Sequence, residues 1–202
     1  MHLGLGENNS DVVNTSLISD EAHFHVSGYV NKHNCRYWAP NNTHELQQRP
    51  LHSAKVTVCC AVYSHDIIGP YFFKNEEGHT VTVHAERHIA KLETFLRGEL
   101  HPRQQDLLCF QQEGPTAHTA EISMQVLRTM FLDRLVTRFG YITWPARSPD
   151  LVVPDYTLWD YVRSKVYETR LANVADLKQR ILDCIQGIPK SILQRVMTAF
   201  LS

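Results

Sequence analysis

The sequence predicts an α/β domain in which a mixed β-sheet is covered by helices. Two observations lead to this prediction. Up to a turn at residues 76–78, apolar residues run together or alternate with polar ones, as in strands, and from about residue 85 they recur every three or four positions, as in helices. Short apolar runs then return between the helical segments, so the element order is strands, helix, strand, helix, strand, helices.

The first half of the chain supplies the strands. Residues 12–18 predict a first strand, and residues 22–26, in which apolar residues alternate with histidines, predict a second one. The proline and asparagine content of residues 36–53 predicts a loop. The runs KVTVCCAVY and DIIGPYFF then predict a hairpin of buried strands, and Gly69-Pro70 is expected to break its second strand.

The second half of the chain is mostly helical. Helical spacing of apolar residues predicts a helix over residues 85–100, and a short strand is expected at residues 107–110. Another helix is marked by four apolar residues, namely Ile122, Val126, Leu127 and Met130.

The last 60 residues begin with a short strand at residues 141–144. Three helices are expected after it: one near Tyr156, one that ends at Gly187 as its C-cap, and one that Pro189 opens. At the other end of the chain, residues 1–11 are small and polar and predict a poorly ordered segment.

Composition limits the class of protein. The chain has 202 residues, of which 43% are hydrophobic, enough for a sizeable core. The net charge of −1 gives no overall basic footprint, although a neutral total leaves room for local basic patches. No apolar run is long enough to span a bilayer, and the five cysteines form no CxxC pair. These features predict a cytosolic or nuclear protein with reduced thiols and no membrane partner.

Three acids stand where predicted elements begin or end. Asp20 follows the apolar segment SLIS, Glu113 follows LLCFQQ, and Asp155 opens the segment DYTLW. Strand ends and helix starts hold side chains on a rigid backbone, so three carboxylates gathered there would suit Mg²⁺ or Mn²⁺. Each acid could instead have a purely structural role or simply face solvent, because an Asp at a helix start is commonly an N-cap and acids beside strands are commonly solvated.

Three motifs favour the metal site. The segments SDEAHFHVSGYVN, CFQQEGPTAHTA and WPARSPDLVVPDYTLW resemble, in the same order, the catalytic domain of mariner-type transposases of the DDE/DDD class. The resemblance extends from about Leu17 to Phe200 and implies that residues 12–202 form a ribonuclease-H-like domain. In that fold, the catalytic acids lie on adjacent central strands and a following helix.

The resemblance also implies the roles of the three acids. Asp20, Glu113 and Asp155 match the family positions that hold two divalent ions, Mg²⁺ or Mn²⁺, for DNA strand cleavage and transfer. The resemblance further implies that the chain binds DNA in the form of transposon ends and is located in the nucleus. It also makes a homodimer an assembly to test. Glu21 and Asp150 match positions outside the ligand set.

Three features of this sequence depart from the family pattern. The second motif reads QQEG where the family reads QQDG, and Val153 stands where the family usually has a proline. Glu113 carries one more methylene than Asp, and Mg²⁺ requires near-ideal octahedral geometry, so we expect a catalytically weak or inactive copy. As a third departure, we expect this chain to lack the family's N-terminal helix-turn-helix modules.

DNA contact would then depend on basic side chains in the catalytic domain itself. The candidates for phosphate contacts are Arg128, Arg134, Arg138, Arg147, Arg163 and Lys165. These side chains could equally well form an ordinary solvated helix face. The role of His118, in GPTAHTA, is open between orienting a ligand, contacting DNA and capping the next helix.

Two alternatives belong to other classes. His84 and His88 are four residues apart on a predicted helix, a spacing that can chelate zinc, although HAERH departs from the HExxH pattern of zinc hydrolases. A remnant without catalysis, which keeps the fold and binds nucleic acid, is the other alternative.

Overall fold

The computed structural model describes the strands of the sheet and the helices packed on it. The described residues are 16–28, 54–64, 66–74, 81, 83–100, 109–112, 116–137, 139, 142–143 and 158–199. The predictions for residues 1–11 and 36–53 lie outside these ranges, as do Glu113 and Asp155.

The described strands form one mixed sheet of six strands. Their bounds are β1 Ser16–His25, β2 Lys55–Val62, β3 Ile67–Phe72, β4 Cys109–Gln112, β5 Leu135–Thr137 and β6 Ile142–Thr143. The spatial order is β3-β2-β1-β4-β5-β6. Strand β1 pairs with β2 in the antiparallel sense and with β4 in the parallel sense, and β5 and β6 continue the parallel part. The long strand β1 therefore lies at the centre of the sheet.

Helices cover the sheet on both faces. Helix α1 consists of three consecutive helical stretches, Ala85–Ala90, the π-helical Lys91–Leu96, and Arg97–Glu99. The remaining helices are α2 Thr116–Thr119, α3 Glu121–Phe131, α4 Trp159–Val166, α5 Val174–Gln186 and α6 Lys190–Ala199. Within the described ranges, no helix has the length and apolar character required to cross a membrane.

The alternation of β1 creates two separate cores, because successive side chains on a strand point to opposite faces. Ile18, Ala22 and Phe24 pack in one core with helices α4, α5 and α6. Leu17 packs in the other with helices α1 and α3. Asp20 shares its parity with the first group and Glu21 with the second, so these neighbouring acids face different cores.

Most predicted elements are confirmed, with four differences. The two strands predicted at residues 12–18 and 22–26 are one strand over the described residues, because the polar residues between them have partners on both faces of the sheet. Strand β3 continues through Gly69-Pro70, where the pairing with β2 shifts register near Cys59. Strand β5 was not predicted, since three residues give no periodic signal. Ile122 is 56% exposed and does not join the apolar face of α3.

Candidate active site

Asp20 lies in the middle of the central strand and is 8% exposed. Its backbone pairs with Cys60 of β2. On the α4 face of the sheet, the indole Nε1–H of Trp159 donates a hydrogen bond to Asp20 Oδ2 at 2.8 Å. Trp159 is fully buried, begins helix α4 and contacts the ring of Phe24 edge to face, with 6.0 Å between the ring centroids. The start of α4 and the Asp20 carboxylate are therefore held together.

The Asp20 carboxylate fits the role of a metal ligand. A carboxylate oxygen offers about two lone pairs, so a hydrogen bond from Trp159 is compatible with binding of a cation by the same carboxylate. Mg²⁺ and Mn²⁺ prefer such hard oxygen donors. A hydrogen bond from a neighbouring group is also how metal-binding carboxylates are commonly oriented.

Of the three predicted acids, the structure describes Asp20 alone. Gln112 directly precedes Glu113 in the sequence, and it pairs with Ser19, which directly precedes Asp20. Asp155 is four residues before Trp159. The described neighbours of both acids thus lie beside Asp20, whereas the convergence of the three carboxylates stays a prediction.

A second polar cluster lies on the opposite face of the sheet. Glu21 Oε1 accepts a hydrogen bond from Lys91 Nζ at 3.0 Å, and Glu21 Oε2 lies 3.2 Å from His118 Nε2. The His118 ring stacks on His88 with 4.1 Å between the ring centroids. We call these four residues the Glu21 cluster; they come from β1, α1 and α2 and tie the two helices to the central strand.

Burial and charge set the protonation of the Glu21 cluster. Burial by itself would raise the pKa of the Glu21 carboxyl, but Lys91 and His118 outweigh it and hold that pKa well below its ordinary value. Burial opposes the charged form of Lys91, yet Cys59 and Glu21 raise its pKa. Lys91 and Glu21 therefore form a buried ion pair, with side chains 2% and 16% exposed.

His88 stays neutral in the folded chain. Burial, assisted by Lys91 and His118, lowers its pKa to about 2. The neighbouring Gln112 carboxamide opposes this shift of the His88 pKa, although neither ring nitrogen of His88 has a hydrogen-bond partner among the described residues. An unpaired buried imidazole lowers stability, because its nitrogens lose their bonds to water without replacement.

The Glu21 cluster has ligand atoms of the kind that metals bind. One donor atom each from Glu21, His88 and His118 lie within 4.8 Å of one another. The Lys91 ammonium already supplies the positive charge that the carboxylate requires, so a divalent ion would add uncompensated charge to a buried site. His84 is exposed and does not belong to this group. The group therefore contains His88 without His84, the other member of the predicted zinc-chelating pair.

The neutral state of His88 predicts how stability depends on pH. An unfolded imidazole titrates near pH 6.5, whereas folded His88 resists protonation down to about pH 2. Below pH 6.5 the unfolded state binds a proton that the native state does not, so stability falls as the pH falls. Between about pH 7.5 and about pH 5, we expect His88 to account for a loss of about 2 kcal/mol.

Urea unfolding of the native chain and of His88→Leu at both pH values measures this contribution. The variant should lose about 2 kcal/mol less than the native chain on acidification. His23, whose pKa burial also lowers, is present in both chains and cancels in the comparison. Equal acid sensitivity of the two chains would show that His88 takes up a proton in the folded state.

Of the six basic candidates, four lie within the described residues, and one of these, Arg134, directly precedes β5, where its backbone carbonyl accepts a hydrogen bond from the Phe110 N–H at 2.9 Å. Arg128, Arg163 and Lys165 form ion pairs with the acids Glu121, Asp160 and Glu168, which are near them in sequence. For these three, the pairs favour a solvated helix face over a free phosphate-binding surface. Arg138 and Arg147 lie outside the described residues.

Sequence comparison finds two curated relatives. No protein-family model matches the chain. The Tc3 transposase of Caenorhabditis elegans is 33% identical over 94 residues, which cover 44% of this chain and 25% of that protein. The Tcb2 transposase of Caenorhabditis briggsae is 30% identical over 88 residues, which cover 44% of this chain and 29% of that protein. The matched segment thus spans between a quarter and a third of either relative.

Structure comparison finds the same fold in Mos1 transposase. The Mos1 mariner catalytic domain superposes with a TM-score of 0.67 over 94% of this chain and 78% of that one, at 18% sequence identity. The Mos1 paired-end complex with the left transposon end gives a TM-score of 0.68 over 93% of this chain and 52% of the Mos1 chain, at 20% identity. The chain is therefore homologous, over 44% of its length, to the Tc3 and Tcb2 transposases, and its ribonuclease-H-like fold is that of the Mos1 catalytic domain, as its mariner-type motifs predicted.

Proposed function

We propose that this chain is a transposase catalytic domain that cleaves and joins DNA strands at a site formed by Asp20, Glu113 and Asp155. The observation that carries the proposal is the position of Asp20 on the central strand, with its carboxylate held by the first residue of helix α4. A carboxylate that is 8% exposed and fixed in this way has little conformational freedom to lose on binding a cation.

Sequence position supports the other two acids. Glu113 follows the last residue of β4, which pairs with the residue before Asp20, so the second acid is expected at the end of the strand adjacent to the first. Asp155 is separated from Trp159 by a span that measures at most about 14 Å when fully extended. Both acids are therefore within chain reach of the Asp20 carboxylate.

The three carboxylates would hold two Mg²⁺ or Mn²⁺ ions. When bound, such ions activate the attacking oxygen and stabilise the leaving oxygen of a phosphodiester. The protein's own part is to fix the ligand oxygens: β1 fixes Asp20 through its pairing, and Trp159 fixes the rotation of the carboxylate. Mos1 transposase has been solved with Mg and with Mn, and its paired-end complex contains transposon-end DNA. We extend both partners, and a nuclear location, to this chain as proposals.

Glu113 is the residue that we propose limits the rate. Its longer stem displaces the ligand oxygen relative to Asp, and a displacement of about 1 Å in a catalytic group costs on the order of a hundredfold in rate. We therefore expect Glu113→Asp to nick supercoiled DNA in Mg²⁺ on the order of a hundred times faster than the native chain. Plasmid nicking by the two purified chains, side by side, measures the ratio.

The control for this experiment is the double variant Asp20→Asn, Glu113→Asp, purified in the same way. It retains the shorter second acid and loses one charged ligand, so its nicking should fall to the level of a reaction without metal. Robust and equal nicking by the native chain and Glu113→Asp would contradict the proposed weakness. Nicking that survives in the double variant would contradict the site itself.

A further inference from the structure

Residues on both sides of Glu113 in the sequence are tied to the central strand. Before it, Gln112 pairs with Ser19 in the parallel ladder between β4 and β1. After it, His118 of helix α2 lies 3.2 Å from Glu21 Oε2. Ser19 and Glu21 are the two residues that flank Asp20. The last described residue before Glu113 and His118 after it are therefore attached to the two residues that flank Asp20 in β1.

The second of these attachments is rigid because each of its members has further contacts. His118 is 4% exposed, and its ring is stacked on His88, which fixes the plane of the imidazole. The other oxygen of the Glu21 carboxylate accepts a hydrogen bond from Lys91, which fixes the rotation of the acceptor. A hydrogen bond between an imidazole N–H and a buried carboxylate is charge-assisted and strong.

From this arrangement we infer that His118 is a positioning residue, which holds the segment carrying Glu113 against the strand carrying Asp20 by donating Nε2–H to Glu21. The inference rests on the proposed function, because it assigns His118 a role in the spacing of two proposed metal ligands. In this role, His118 acts through Glu21 and the start of α2. Loss of the contact would free one end of the short segment that contains the second acid.

The expected effect is that of a residue that orients the metal ligands without binding the metal itself. Substitutions of such residues typically weaken metal affinity or activity by about 10- to 100-fold. His118→Leu removes the donor, and we expect it to weaken Mn²⁺ binding by about tenfold or more. His118→Gln keeps an amide N–H near the position of Nε2, and it should therefore restore binding to within about threefold of the native chain.

Mn²⁺ binding to the purified full chain, followed by the loss of the electron paramagnetic resonance signal of free Mn²⁺, measures these affinities without DNA or turnover. His84→Leu is the matched control, because the His84 side chain is exposed, precedes the first residue of α1 and is not a member of the Glu21 cluster. Its affinity should equal that of the native chain. Thermal unfolding of each variant ensures that binding is compared well below the melting temperature, where a purely structural role would leave Mn²⁺ affinity unchanged.

A fifth chain, Asp20→Asn, separates the two proposals. Loss of Mn²⁺ binding in Asp20→Asn together with native affinity in His118→Leu overturns the role of His118 and leaves the proposed function standing. Native affinity in Asp20→Asn overturns the proposed metal site and this inference with it. Should His118→Leu fail to fold, His118→Asn replaces it, because its amide is carried on a shorter stem and does not reach Glu21.

Discussion

Replacement of Lys91 by methionine should lower the free energy of unfolding by about 3 to 5 kcal/mol. Methionine keeps most of the aliphatic stem but removes the ammonium, which is bonded to Glu21 in a site where the Lys91 side chain is 2% exposed. The Glu21 carboxylate would then be left largely buried with His118 as its remaining partner within the Glu21 cluster. The cost comes from the loss of the ammonium that compensates this buried charge, and urea unfolding at neutral pH measures the cost.

The double variant Lys91→Met, Glu21→Gln tests that explanation. Glutamine keeps an acceptor for His118 and removes the negative charge, so the double variant should recover at least about 2 kcal/mol of the loss. Lys165→Met is a control for the loss of a lysine as such. Lys165 and Glu168 form an ion pair that is about half exposed, so its removal should leave the free energy of unfolding nearly unchanged. Additive losses in the double variant would show that Lys91 stabilises the fold by packing and not by its charge.

Replacement of Trp159 by alanine should lower the free energy of unfolding by about 3 to 5 kcal/mol. Trp159 is fully buried among the residues that join α4 to β1, and its removal leaves a cavity beside Phe24 in addition to the lost hydrogen bond to Asp20. Chemical denaturation monitored by circular dichroism measures the loss. It avoids reliance on tryptophan fluorescence, which the substitution itself changes.

Trp159→Phe separates packing from the hydrogen bond. Phenylalanine fills much of the cavity and lacks the N–H, so its cost should be about 1 to 3 kcal/mol, the range for leaving a buried polar group without its partner. Tyr161→Ala, on the same helix but only partly buried, should cost less than Trp159→Ala. If Trp159→Ala were no more destabilising than Tyr161→Ala, the packing of α4 against the central strand would not depend on this side chain.

The local features of the fold follow from the sequence. The hairpin of β2 and β3 is visible as two apolar runs around a turn, and helix α5 is visible from the spacing of Leu177, Ile181 and Ile185 with Gly187 after it. Such signals involve residues a few positions apart, and the period of a helix or strand is fixed by its backbone geometry. The acid at position 20 could be found in the same way, because the motif around it is contiguous.

The partners of that acid depend on the tertiary structure. Trp159 reaches Asp20 from 139 positions along the chain, and Lys91 reaches Glu21 from 70 positions away. No local pattern specifies these contacts, because they depend on which strands pair and on which face of β1 each helix packs. The sequence drew attention to His88 by its spacing from His84 and to His118 by its motif position, but neither signal identified Glu21 or Lys91 as a partner.

By itself, the sequence determined the element types, the mariner-type motifs and the three candidate acids, because these features lie in short continuous segments. The tertiary structure alone decided which groups Asp20 and Glu21, adjacent in the chain, contact on the two faces of the sheet. The physical reason is the two-residue alternation of a central strand that is covered on both sides: one carboxylate joins Trp159 of α4, and the next joins Lys91 and His118.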